Sequence, residues 1–78
     1  MIKIYIKTEF IKLSQFLKFS GLIDNGAESK KFIVDNEIWV DGILEKRRNK
    51  KLYKDSIVDI NGKKYLIMRE EIANNGQQ

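Results

Sequence analysis

The sequence predicts an α+β domain in which two short helices pack on a small antiparallel β-sheet. Three observations carry that reading. Isoleucines alternate with Lys and Tyr at the start, two stretches of helical apolar spacing follow, and the second half holds strand-like runs punctuated by "DG" and "NG". A chain of 78 residues has room for one small domain, assigned here to residues 1–70. The closing "ANNGQQ" lacks apolar anchors, so 71–78 is expected to be a frayed tail.

The elements follow in order. Ile2, Ile4 and Ile6 alternate with Lys3, Tyr5 and Lys7, the pattern of a half-buried strand with the isoleucines inward. Phe10, Leu13, Phe16, Leu17 and Phe19 stand at helical spacing, with Ser14 as N-cap and Gly21 as stop, which predicts a helix over about 13–20. Phe10, Phe16, Phe19 and Phe32 are all expected in the core. Asn25 with Glu28 three residues on marks a second helix, running to about Val34. The period then changes to two: Ile38 and Val40 flank Trp39, Asp41-Gly42 forms a two-residue hairpin turn, and the return arm spans Ile43 to about Arg47. Ile57, Val58 and Ile60 form a strand, Asn61-Gly62 turns, and "KKYLIM" returns. The order is β-α-α-β-β-β-β.

Composition removes several functions. There is no Cys and no His, so thiol nucleophiles, disulfides, thiolate metal sites and imidazole catalysis are excluded. No carboxylate pairs with a nucleophile or a cofactor loop, and the glycines form no phosphate-cradling string, so neither an enzyme nor a cofactor or small-molecule substrate is expected. No apolar run approaches the roughly 20 residues that span a bilayer. The start interleaves Lys with Ile and is not read as a signal peptide, so a cytoplasmic protein is expected, and no membrane partner.

Charge is the informative feature. The net is +4, yet six of the fifteen basic residues lie in "KRRNKKLYK", 46–54. Without those six, nine basic residues face eleven acidic ones, a net of −2. Concentrated like charge repels itself, and a polyanion is the usual compensation.

Several motifs in order resemble one family. "KLSQFL" (Lys12–Leu17) opens the first helix, "NGAESKKFI" places Lys30 and Lys31 before Phe32 and Ile33, "IWVDG" (Ile38–Gly42) stands at the hairpin, and "RRNKKL" (Arg47–Leu52) follows. Over Ile11 to Ile60 the chain resembles the S-four RNA-binding domain, or alpha-L motif, in its small stand-alone bacterial form. The pattern departs at Gly26-Ala27, where the family has Gly-Gly, at Ser29 (Ala), at Asp41 (Asn), and at Lys54-Asp55 (Gly-Asp). Asp41 puts a negative charge where the family has a neutral amide, and Lys54 adds a positive one.

The resemblance implies a non-catalytic protein that binds structured RNA, most naturally ribosomal RNA or a ribosomal particle, as a monomer. The residues expected to carry binding are Lys12 and Lys18 at the ends of the first helix, Lys30 and Lys31 one turn into the second, and Lys46, Arg47, Arg48, Lys50 and Lys51 on the arm. The two arginines suit bidentate phosphate contact, the lysines act as point charges, and the amides opening the second helix favour a phosphate. Reversing Arg47 and Arg48 together is expected to leave the fold intact. Trp39 faces away from Ile38 and Val40; it either covers the open side of the sheet or stacks on a base. Tyr53 poses the same choice. Lys18, Lys30 and Lys31 also fit an ordinary solvated surface. The alternative function is an adaptor docking an acidic protein through the same basic face.

Overall fold

A computed structural model describes residues 1–70; the tail reading for 71–78 falls outside the described residues. The elements are β1 (Ile2–Ile6), β2 (Phe10–Lys12), α1 (Leu13–Phe19), a 3-10 turn (Gly26–Glu28), α2 (Ser29–Asp35), β3 (Ile38–Val40), β4 (Ile43–Leu44), β5 (Lys51–Tyr53), β6 (Ile57–Ile60) and β7 (Lys63–Arg69). The predicted α+β class holds, with two helices beside a mostly antiparallel sheet. Five strands run in the order β1-β7-β6-β3-β4, and β2 pairs separately with β5. One pairing departs from the antiparallel expectation. β1 lies parallel to β7, Ile2 opposite Tyr65 through Ile6 opposite Arg69, because the rest of the described chain acts as the crossover between them.

Both hairpin turns form as expected. Asp41 and Gly42 have φ of 51° and 83°, Asn61 and Gly62 of 52° and 93°, the doubly left-handed geometry whose twist matches a two-residue hairpin. The arm after the first hairpin is shorter than expected. β4 ends at Leu44 because Glu45 turns inward, 5 % exposed, and the chain then leaves the sheet.

Helix α1 buries Leu13, Phe16 and Leu17 completely, one stripe at i, i+3 and i+4. Its end is a Schellman motif: Gly21 at φ 82° donates to the Lys18 carbonyl, and the Leu22 amide reaches Leu17 at 2.9 Å. Its start differs from expectation. Lys12, not Ser14, is the N-cap, and its amide donates to the Gln15 side chain at 3.0 Å. Ser14 lies inside the helix, where its amide donates to the Arg48 carbonyl at 2.9 Å, next to Leu13 donating to Lys50 at 2.8 Å. The basic loop thus supplies the acceptors that the helix start lacks.

The core joins this stripe to Ile33, Ile38, Val40, Leu52, Val58, Tyr65 and Ile67, with Phe16 edge-on to Tyr65 at 5.4 Å and 83°. The expectation of four core phenylalanines holds for Phe16 and for Phe32, which is half-buried against the core. Phe10 is half-buried in the small β2–β5 pair. Phe19 is corrected: as the last residue of α1 it is 61 % exposed, because the chain turns at Gly21 and sends Ile23 into the core instead.

Candidate nucleic-acid interface

The nine basic residues expected to carry binding fall into three groups that their positions in the sequence did not separate. The first surrounds a groove of about 340 Å³ between α2 and the arm, lined by Lys30, Ile33, Val34, Lys46 and Arg48. Lys30 and Arg48 are exposed, and their side chains make no hydrogen bond or ion pair among the described residues. Val34, 67 % exposed, supplies an apolar floor beside them. Lys46 is partly engaged. Its ammonium donates to the carbonyls of Ile33 at 2.9 Å and Asn36 at 3.2 Å, closing the C-terminal end of α2, where a cation also opposes the helix dipole.

The second group lies across the small sheet. Pairing sets Lys12 directly opposite Lys51 and Phe10 opposite Tyr53. Lys18 borders the same region from α1, in a groove of about 810 Å³ that also includes Phe10, Gln15 and Phe19. The turn from Arg47 to Lys50, closed by a 3.1 Å amide–carbonyl bond, connects the two groups along the start of α1. Lys50 in that turn is half-buried.

The third group is neutralised internally. Arg47 forks onto Glu45, Nε to Oε2 at 2.9 Å and Nη2 to Oε1 at 3.0 Å, while its own amide donates to Oε2 at 2.9 Å. These bonds, the Arg47 side chain's first, hold the Glu45 carboxyl down at about 2 against the opposing effect of burial. The bidentate capacity expected for phosphate is therefore occupied by a carboxylate. An Arg47→Glu reversal sets a second anion against buried Glu45, so the expectation that the double reversal leaves the fold intact is corrected. Lys31 is likewise paired, 2.7 Å from Asp35 one helical turn on, which raises its pKa; it borders a different groove, beside Glu28 and Asp35.

The 3-10 turn that leads into α2 spends two of its amides on its own cap. The Asn25 side chain accepts from the Ala27 amide at 3.0 Å, the Asn25 carbonyl takes the Glu28 amide at 3.1 Å, and the Glu28 carboxylate accepts from the Asn25 side-chain amide at 2.9 Å. Ser29 is buried, and its hydroxyl donates to Gly26 at 2.8 Å, so this departure from the family's Ala is satisfied internally. Asp41 is structural too: its carboxylate accepts the Ile57 amide at 2.8 Å, a bond the family's Asn can also make.

Trp39 lies on the open face of the large sheet, opposite Asp59 and Leu44 and 36 % exposed. Its indole N–H points to Glu37 at 3.4 Å, and its neighbours lining a pocket include Asp41, Asp59 and Lys64. With Glu37, three carboxylates face one ammonium here, so that face is less favourable for a phosphate chain than the groups above. Sequence reasoning placed Phe19 and Phe10 in the core, whereas Phe19 is exposed and Phe10 half-buried beside Lys12 and Lys18. The available signal was that Leu13, Phe16 and Leu17 already complete the buried stripe of a seven-residue helix.

Comparison with known proteins agrees with this architecture. The family model described as "S4 domain" matches residues 4–68. A Bacillus subtilis (strain 168) protein described as "Probable ribosome maturation protein RlbA" is 41% identical over 59 residues, which cover 76% of this chain and 83% of that protein.

Proposed function

This chain belongs to the S4 domain family, and from that membership we propose that it is a non-catalytic RNA-binding protein of the cytoplasm that docks on structured ribosomal RNA or a ribosomal particle. The observation that supports this most is the α2–arm groove, where Lys30 and Arg48 stand exposed and without intramolecular partners beside Lys46. Like charges held together without counter-charges favour a polyanion. Lys12, Lys18, Lys50 and Lys51 extend the basic surface around the start of α1 onto the small sheet. Phosphate contacts from these side chains position the RNA; Arg47 stays outside this set because buried Glu45 holds it, and Lys31 because it borders a different groove. The reading takes residues 1–70 as one binding domain acting as a monomer. The relative's description as a ribosome maturation protein supports a ribosomal target.

Co-sedimentation with ribosomal subunits tests the reading. The protein is expected to travel with a subunit at low salt and to leave it at high salt, since counterion release makes phosphate contact strongly salt-dependent. Displacement by an acidic peptide with no displacement by RNA homopolymer assigns the face to an acidic protein instead.

A further inference from the structure

The groove between α1 and β2, with β5 adjoining β2 beside it, combines features that a phosphate-binding surface alone does not need. Register places Lys12 directly across from Lys51, a like-charge pair that destabilises a strand pairing unless an anion lies over it. On the same face Phe10 sits opposite Tyr53, rings 5.8 Å apart and tilted by 50°, with the Lys51 ammonium 4.7 Å from the Phe10 ring centre. From α1, Phe19 projects 61 % exposed at the rim, next to Lys18. Gln15 contributes a polar edge: its side-chain oxygen accepts from the Lys12 amide at 3.0 Å, and its NH₂ makes no hydrogen bond among the described residues. Glu9 is the acid among the lining residues, and its sign confines the phosphates to the lysine side.

We propose that this groove holds an unpaired RNA nucleotide, its base stacked on Phe19 and its flanking phosphates held by Lys12 and Lys18. The inference rests on the RNA-binding reading and names the part of the RNA that this surface takes. The exposed Phe19 ring matches the flat face of a base, which is hidden inside a duplex and presented only by loops, bulges and ends. The cations match the phosphates on either side, and the volume of about 810 Å³ lies in the range of a small-ligand site. The exposed aromatic surface around Trp39 lacks this combination because Glu37, Asp41 and Asp59 adjoin it.

The test uses two RNAs, a hexauridine carrying one 2-aminopurine and a blunt duplex of the same length. Wild-type protein is expected to bind both, and stacking quenches the 2-aminopurine fluorescence. Phe19→Ala, at an exposed position, should weaken hexamer binding about tenfold and abolish the quench. It should leave duplex affinity within about twofold, and Phe19→Trp should restore hexamer binding. Wild-type binding to both RNAs with an unchanged hexamer affinity in Phe19→Ala overturns the stacking site and leaves the RNA-binding reading standing. An equal loss on both RNAs also overturns it, since the ring then does not read an unpaired base. Failure of the wild type to bind either RNA removes both proposals together.

Discussion

Replacing Arg47 with Ala should destabilise the domain, and the loss should depend on pH in a way that identifies Glu45 as its source. In the folded protein Glu45 is 5 % exposed and its carboxyl pKa is held near 2, against an ordinary 4.5. At about 1.4 kcal/mol per unit, that depression corresponds to about 3 kcal/mol of folding stability at neutral pH. The Arg47 amide still donates to Glu45 in the variant, and the guanidinium is 73 % exposed, so the expected loss is smaller, about 2 kcal/mol. With a urea dependence of about 1 kcal/mol/M for so small a domain, the unfolding midpoint should fall on the order of 2 M. Because the folded pKa is depressed, the stabilisation is fully present above about 4.5 and disappears as pH falls toward about 2. Urea titrations of both proteins at pH 7 and pH 2.5 should therefore show the gap shrinking to well under half. Equal midpoints at pH 7, or a gap as large at pH 2.5, refute the assignment of Arg47 to fold stability.

Further outcomes follow from the same structure. Lys46→Met removes the cation at the α2 carbonyls and should cost about 0.5–1 kcal/mol in chemical denaturation, a loss that shrinks with added salt. Gly21→Ala meets no atom within 4 Å of an added Cβ, so its cost is the left-handed backbone alone, about 1–2 kcal/mol, seen as a lower Tm. Phe16→Ala should cost about 3–5 kcal/mol, whereas Phe19→Ala should stay within about 0.5 kcal/mol; comparable losses in thermal unfolding contradict the exposed placement of Phe19.

Local chemistry was legible in the residues, and long-range pairing was not. Asp41-Gly42 and Asn61-Gly62 specify their turns because they tolerate positive φ at both positions, and Gly21 ends α1 for the same reason. The parallel pairing of β1 with β7 joins the two ends of the described fold, and nothing in "IKIYI" selects that partner. The β2–β5 pair was hidden because "FIK" merges with the helix pattern and "KLY" with the charge run. The basic surface was partly visible. Sequence located the excess charge in 46–54, but not which cations are already paired. Glu45 reads as a flanking acid, and only its burial reveals that Arg47 is committed to it. Lys46 looks like its neighbours until the fold brings it under the last turn of α2.

On the proposed reading, Lys30, Arg48 and the lysines around the start of α1 form one phosphate-binding face. A salt titration of affinity for a folded ribosomal RNA fragment, run on wild type and on Lys30→Glu/Arg48→Glu, tests it most directly. Neutralising roughly four to six phosphates gives a log–log slope of about −3 to −5. The double variant should keep the wild-type unfolding midpoint, bind more than about tenfold more weakly, and show a shallower slope. An affinity indifferent to salt, or a double variant that binds as tightly as the wild type, rules out phosphate contact by this face.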